Sequence, residues 1–392
     1  MGHKRLKAMK ILFSARKLDP PSGGAEISAM EILRELAKNN DVTALTTGNN
    51  KEYKKDNIKI KKVRENFISS ISISWAKRYF LNLYWRKILD NYLKKNDFDL
   101  IITQLDLTPS TVEIANKYRI PSIVFIRSYE HFYLNLRFSQ APKKMGLIEE
   151  FLSAPLKYKV QFFPFYLLMK KWNERSIKTA TKVIANSEFT AEVCEMLYGV
   201  KAEVIYPPIR VDKYLAKKRK ADYVTIIRPT IPKGGELFIK IADALPDVRF
   251  LAVGNAEKHI VGELKRRKNV TYMPWTDNMK EDVYSKTKIL LIPSLWHEPF
   301  GRMAVEAMIN GIPCIVSNKG GTPHIVNGAG IIVDNVNDIN AWVKSIERLI
   351  TDKKEYKRLS KRAKERARHF DYNTQMTKIK NIMKEIYNER DI

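Results

Sequence analysis

The sequence predicts an α/β fold made of two doubly wound, Rossmann-like domains facing a cleft. Short apolar, β-rich runs recur along the chain, most of them followed by a stretch with helical spacing, as stacked β-α-β units require. Three of the following loops carry Gly or Pro beside charged residues, at the strand ends where open α/β sheets bind ligands. At 392 residues the chain also exceeds one ordinary core, so two domains are expected. Their boundaries fall at 1–207 and 208–370, leaving 371–392 as a terminal helix.

In chain order, Lys10–Ser14 is a strand and Arg16–Glu26, containing P-P-S-G-G-A-E, is a loop. Ile27–Lys38 places Ile27, Met30, Ile32, Leu33 and Leu36 at helical spacing. Gly23 and Gly24, just ahead of that helix, let backbone approach a ligand, although a glycine pair alone reads first as a tight turn. Asp41–Thr46 and Ile58–Val63 are strands. Ser69–Lys95 interleaves Trp75, Tyr79, Phe80, Tyr84 and Trp85 with bases, and reads equally as a core-packed helix or a membrane-surface one. Phe98–Thr103 and Ser122–Ile126 are buried-strand candidates on either side of a helix over Ser110–Tyr118. Lys143–Lys171 holds the apolar run Phe162–Met169, broken by Pro164. It reads as a buried helix pair or as an apolar wedge with a basic collar for a membrane surface. Trp172–Thr181 is a helix, and Lys182–Asn186 and Val204–Pro208 are strands.

The second domain opens with the strand Tyr223–Ile227, which runs into R-P-T-I-P-K-G-G (Arg228 to Gly235) and the helix Glu236–Leu245. Arg228 and Lys233, five apart on a stiffened loop, can converge on one diphosphate, Arg as a planar fork and Lys as a point charge, although two bases on one loop of a chain with 70 Lys+Arg mean little by themselves. Val248–Val253 and Val270–Met273 are strands. Trp275 after them reads as a packing residue or as a flank for a nucleobase. The chain is organised around Ile289–Val316. There a buried strand, Ile289–Ile292, leads into a loop punctuated by Pro299 and Gly301, then a helix over Arg302–Asn310 that stops at Gly311, then the strand Ile312–Val316. Glu298 lies in that loop and Glu306 one turn into the helix. The free amides near Phe300, Gly301, Arg302 and Met303 form an anion site between them. A phosphate held there has a carboxylate on either side, and each carboxylate accepts two hydroxyl hydrogen bonds, as a sugar or ribose offers. Ser317–Thr322 aims a second helix start, at Pro323, toward the same place. Ile331–Asp334 is the last strand, followed by helices over Ile339–Ile350, Lys354–Arg368 and Tyr372–Tyr387.

Composition narrows the function. Seventy Lys+Arg against 43 Asp+Glu give a formal net charge of +27, which attracts polyanions: nucleic acid, anionic headgroups or phosphorylated substrates. No run reaches the ~18 apolar residues that span a bilayer. Met1–Lys10 is basic without the apolar core of a signal peptide, and reads as a leader or remnant before a natural-looking start at Met9. Cys194 and Cys314, in apolar settings far apart, read as buried free thiols of a reducing compartment. No Cys/His cluster has metal-ligand spacing.

H-E-P-F-G-R-M-A-V-E, with Glu298 and Glu306 as its acids, resembles the E-x7-E signature of retaining nucleotide-sugar glycosyltransferases of family 4, which have the GT-B fold. The resemblance spans nearly the whole chain. V-I-A-N-S-E-F-T is similar to the family's last strand–helix step of the first domain, and Gly23-Gly24 stands where its glycine-rich loop faces donor phosphates and acceptor. Arg228 and Lys233 have the spacing and position of its phosphate-binding pair. The resemblance implies a donor held by the second domain, with Glu306 on the ribose hydroxyls, Arg228 and Lys233 on the diphosphate and Glu298 on the sugar. Amides at Phe300 and Gly301, with Arg302 beside them, would assist. It implies no catalytic metal and no cofactor, a terminal helix that crosses back to the first domain, and a front-face reaction in which the leaving phosphate oxygen takes the acceptor proton. The chain departs from the family at two places. Arg127-Ser128 stands where a His-Asp pair is usual, with His131 four residues on, so that Arg127 is a candidate for a phosphate or acidic acceptor and His131 for a sugar contact. His324 replaces the usual Glu after Pro323.

The function expected is retaining transfer of a sugar from a UDP- or GDP-sugar to an acceptor hydroxyl on a glycolipid, lipid-linked saccharide or polysaccharide. The place expected is the cytoplasm, with peripheral docking on the cytosolic face of an anionic membrane. Two rivals are a basic nucleic-acid-binding protein and a GT-B nucleotide-sugar epimerase. The first is disfavoured because the bases are spread over all regions and no nucleic-acid motif appears, so no specific nucleic-acid partner is expected.

Overall fold

The computed structural model describes residues 8–21, 23–65, 74–129, 132–133, 140–217 and 221–389, with backbone only at 157–158 and 160–162. The chain divides into two compact units: Met1–Leu136, Pro142–Tyr206 and Met376–Ile392 in one, Arg137–Ala141 and Pro207–Gln375 in the other.

The first unit runs β1 (Lys10–Ser14), α1 (Gly24–Leu36), β2 (Asp41–Thr47), β3 (Glu52–Lys55), β4 (Ile58–Val63), α2 (Ser74–Leu93), β5 (Leu100–Gln104), α3 (Thr108–Lys117), β6 (Ser122–Ile126), α4 (Leu147–Ser153), α5 (Leu156–Thr179), β7 (Lys182–Ala185), α6 (Glu188–Tyr198) and β8 (Glu203–Val204). Its sheet has the order β3-β4-β2-β1-β5-β6-β7-β8, parallel throughout except for the β3–β4 pair. Central strands covered on both faces must be apolar on both, and β5 and β6 are buried at every position. The β1 end is fixed by a buried polar knot. Trp85 Nε1 donates to Ser14 Oγ at 2.9 Å, Ser14 Oγ and Thr111 Oγ1 share a proton at 2.8 Å, and Thr103 Oγ1 donates to the Ser14 carbonyl at 2.8 Å.

The aromatic and basic stretch before β5 is a core-packed helix. Leu81, Trp85, Leu89 and Leu93 of α2 pack on Leu12, Leu45 and Ile101, while Trp75 and Tyr79 pack against Tyr166 and Met169 of α5. The Phe162–Met169 run belongs to a helix pair. α5 continues through Pro164, and Tyr166 and Met169 are buried with Trp75 and Ala154. The expected break at Pro164 does not occur.

The second unit runs α7 (Val211–Tyr214), β9 (Tyr223–Ile227), α8 (Gly235–Ala244), β10 (Phe250–Val253), α9 (Lys258–Arg266), β11 (Val270–Met273), β12 (Thr287–Ile292), α10 (Arg302–Ile309), β13 (Cys314–Ser317), α11 (Thr322–Val326), β14 (Gly330–Val333), α12 (Ile339–Thr351) and α13 (Lys353–Ala367). The all-parallel order β11-β10-β9-β12-β13-β14 reverses direction between β9 and β12, which makes their carboxyl ends the topological switch point. Phe238, Phe250, Ile289, Ile315 and Trp342 fill the core beneath. The last helix, α14 (Tyr372–Asn388), lies in the first unit from Met376 on, where Lys380 Nζ meets Glu35 at 2.8 Å and Glu385 meets Lys182 Nζ at 3.0 Å.

Candidate active site

The loops leaving β9 and β12 are tied together at the switch point. Backbone N–H groups of Leu295 and Trp296 donate to the Pro232 carbonyl at 2.9 and 3.1 Å. Gly234 makes this approach feasible: its φ is +81°, and a Cβ there would stand 2.0 Å from the Pro293 carbonyl oxygen.

Within this tie, Lys233 Nζ lies 2.6 Å from Glu298 Oε1 and 4.9 Å from the Trp296 ring. The Glu298 side chain is mostly buried while Lys233 keeps a solvent-facing side. Glu298 is positioned by backbone. Its carbonyl accepts from the Gly321 N–H at 2.7 Å, and a Cβ on Gly320 would fall 2.5 Å from both its nitrogen and its oxygen. A small cavity walled by Ile226, Ile227, Lys233, Glu298 and Met303 lies at this point.

Glu306 has a different setting. Arg302 Nε donates to its Oε1 at 2.8 Å and the Tyr284 hydroxyl donates to its Oε2 at 2.7 Å, Glu306 and Tyr284 being buried and the Arg302 side chain 11% exposed. Arg302 also reaches the Tyr214 hydroxyl at 3.0 Å. Burial, and after it the Glu306 carboxylate, pushes the Tyr284 phenol well above its ordinary range, so it stays a proton donor to Glu306. Arg302 is therefore engaged with Glu306 on its own helix. Gly301 begins that helix in the left-handed conformation, φ +93°, leaving the first-turn amides without a side-chain cap. Phe300 is buried edge-on against Phe370, with ring centres 5.9 Å apart, so only its backbone can serve a ligand.

Arg228 ends β9 at φ +54° and is exposed, its guanidinium 4.7 Å from the Trp275 ring. Trp275, 37% exposed, thus backs a cation rather than filling core. The structure brings Lys233 and Glu298 into contact, joins Glu306 to Arg302, and sets Arg228 on Trp275 at the end of β9.

Gly23, Gly24 and Arg127 belong to the first unit. Gly23 is the extended residue before α1, with no side-chain cap, and Gly24 starts the helix. Arg127 is only 6% exposed: its Nε donates to Gln104 Oε1 at 3.1 Å, and it stacks 4.3 Å from the Phe125 ring. It lines a cavity with Trp75, Arg78, Asp106 and Ser128. His131 lies outside the described residues. Among the described residues, no group of three or more His, Cys, Asp and Glu side chains is assembled to hold a metal ion.

Sequence reasoning missed Tyr284 and Tyr214, the two phenols that fix Glu306 and Arg302. They stand 22 residues before Glu306 and 88 before Arg302, and no local spacing links them. It read Ser317–Thr322 as a second helix start aimed at the same place; the structure adds close packing there, with a Cβ on Gly320 falling 2.5 Å from the Glu298 backbone and one on Gly321 falling 2.5 Å from the Pro299 carbonyl oxygen.

Residues 22–213 match the family described as Glycosyltransferase Family 4, and residues 210–366 match Glycosyl transferases group 1. A D-inositol 3-phosphate glycosyltransferase of Mycobacterium sp. (strain KMS) is 27% identical over 210 residues, 45% of this chain and 46% of that protein. The chain spans about half the length of the curated relatives it matches, 46% and 61% in two cases. Sucrose-phosphate synthase from Thermosynechococcus elongatus superposes with a TM-score of 0.76 at 16% identity, covering 97% of this chain and 100% of that one. Anabaena HepE, in complex with UDP and glucose, gives 0.71 at 17% identity, covering 96% and 100%. At these identities the likeness speaks for the fold, which is GT-B.

Proposed function

We propose, on the premise that this chain belongs to the family 4 and group 1 glycosyltransferases, that it moves a sugar from a nucleotide diphosphate sugar to an acceptor hydroxyl with retention at the anomeric carbon. The observation that carries this reading is the contact of Lys233 with Glu298 at the switch point of the second unit. A cation after β9 facing an acid after β12 suits a diphosphate joined to a sugar. The ammonium takes a phosphate oxygen, and the carboxylate released from it accepts hydrogen bonds from sugar hydroxyls.

Arg228 and the first-turn amides of α10 supply further positive charge, and Glu306, held by Arg302 and Tyr284, takes the ribose hydroxyls. As the bond from the anomeric carbon to the phosphate oxygen breaks, negative charge grows on the diphosphate, and fixed cations and amides lower that barrier. The acceptor oxygen bonds to the same face, and its proton passes to the leaving phosphate oxygen. UDP is the favoured nucleotide, because HepE, with the same fold, holds UDP and glucose. The acceptor is read as lipid-linked or polymeric, reached by peripheral association with an anionic membrane. No helix among the described residues is long and apolar enough to cross one.

The test is a calorimetric screen of UDP, GDP, ADP and their sugars, followed by product analysis with and without added acceptor. Saturable nucleotide binding that Lys233→Ala weakens, together with acceptor-dependent sugar transfer, is expected. Binding that ignores Lys233, or turnover to an epimerised nucleotide sugar without acceptor, overturns the reading.

A further inference from the structure

The first unit carries a row of aliphatic side chains that its own core does not use. Ile148 and Leu152, one turn apart on α4, are 76% and 65% exposed, Leu147 beside them is 45% exposed, and Leu156, which opens α5 just past Pro155, is 75% exposed. This is no frayed end, because the opposite face of the same segment is anchored. Phe151 packs on Phe163 with ring centres 4.5 Å apart, Ala154 is buried with Tyr166 and Met169, and the buried Glu150 carboxylate is held by the Tyr166 hydroxyl and Lys170 Nζ. α4 therefore presents one apolar face inward and a second, aliphatic one to solvent.

Lysines flank the row along the chain: Lys143 and Lys144, both exposed, just before α4, and Lys159 three residues past Leu156 in α5. The one acid on the exposed side, Glu149, is neutralised by Lys143 at 2.7 Å. Aliphatic tips with a lysine collar match the interfacial zone of a bilayer, where chains enter the acyl boundary and ammonium groups stay among anionic headgroups. A protein partner is less well served, since anchor residues of protein interfaces are mostly Trp, Tyr and Arg, and none stands in this row.

We infer that the Leu147–Leu156 ridge is the surface by which this chain docks on a bilayer containing anionic lipid. The inference rests on the peripheral-association reading above and names its surface. That surface differs from the Phe162–Met169 run, whose Tyr166 and Met169 lie in the core.

The experiment is co-sedimentation of the full chain with vesicles of phosphatidylcholine, with and without about 30 mol% phosphatidylglycerol. It compares wild type, the triple variant Ile148→Ser/Leu152→Ser/Leu156→Ser, and a control pair from the other unit, Leu215→Ser/Ile332→Ser, whose side chains are also exposed. Wild type and control should sediment with anionic vesicles and release in high salt, while the triple variant binds about tenfold or more weakly. Unchanged melting and nucleotide binding would show that the variant is folded. Wild type failing to bind any vesicle removes the peripheral reading and this inference with it. Wild type binding and the triple variant binding equally well overturns the ridge alone. Light scattering that shows a wild-type dimer, and a monomer for the triple variant, also overturns it in favour of a second copy of the chain.

Discussion

Lys233 and Glu298 neutralise each other across 2.6 Å in the free chain, so a diphosphate that claims the lysine also releases the acid. This gives the two positions opposite signatures. Lys233→Ala should weaken nucleoside diphosphate binding and lower kcat by about 10²–10³-fold, the usual cost of removing one group that meets developing charge. Glu298→Gln frees the lysine from its competitor, so it should bind the bare nucleoside diphosphate at least as tightly as wild type while losing turnover of the sugar nucleotide. Titration calorimetry with diphosphate and with sugar nucleotide, run on both variants, separates the roles. Equal loss of diphosphate affinity in both variants would contradict the exchange of partners.

Gly320 offers a backbone test of the same acid. Its φ of +64° disfavours any other residue, and an added methyl would stand 2.5 Å from the Glu298 nitrogen and oxygen. Backbone cannot yield as a flexible side chain does, so Gly320→Ala should displace the Glu298 loop at a cost of about 1–3 kcal/mol. The expected result is a folded protein by circular dichroism, with a slightly lower Tm and transfer reduced by about 10²-fold or more. Gly262, where a Cβ meets nothing within 4 Å, is the matched control, and Gly262→Ala should leave turnover intact.

Much of this was legible from sequence because a strand leaves a dense apolar run when both faces are buried, as in β6 and β9, and alternation when one is, as at the start of β4. β4, β6, β9 and β11 fall on the residues their apolar or alternating pattern predicts. β3 did not show, being E-Y-K-K on a sheet edge with no buried residue. α9 also stayed hidden, since only Ile260 and Leu264 of its nine residues are buried, too thin a seam for periodicity to register. Pro164 pointed to a break that the packing of Tyr166 and Met169 overrides. At the site, the Glu298 and Glu306 pair stood out because a Pro/Gly-bracketed loop ahead of a helix is a local pattern, whereas Arg228 and Lys233 were singled out by their match to the family's spacing. The partners that orient them, Tyr284 and Gly320, act across long sequence separations, which spacing cannot encode.

Both thiols should be inert in the folded chain. Burial pushes Cys194 up to about 11, with Glu195 adding to it, and Cys314 up to about 12. At pH 8 the thiolate, the reactive form, is then about 0.1% or less of either. The folded state holds these protons more tightly than the unfolded chain, so stability should decline as pH rises above about 8.5. A maleimide reagent at pH 8 is expected to label neither cysteine until denaturant is added, and both afterwards. Rapid labelling of the native chain would show that one of the sites opens.

Glu306 is where structure and catalysis are entangled, and the choice of substitution decides what is learned. Its carboxylate answers the mostly buried Arg302 guanidinium and a buried phenol. Glu306→Ala therefore leaves Arg302 without its carboxylate partner and with the neutral Tyr214 hydroxyl in its place, and removing one member of such a pair typically costs about 3–5 kcal/mol. Lost transfer in that variant could then reflect unfolding alone. Glu306→Gln keeps an oxygen for Arg302 and a polar partner for Tyr284 while removing the charge. It should melt much closer to wild type yet bind ribonucleotides more weakly, because a neutral amide is a poorer acceptor for two ribose hydroxyls. Comparing UDP with its 2′,3′-dideoxy analogue isolates the contact. The preference for the ribose form should shrink in Glu306→Gln, and an undiminished preference would leave Glu306 with only the structural task of holding Arg302.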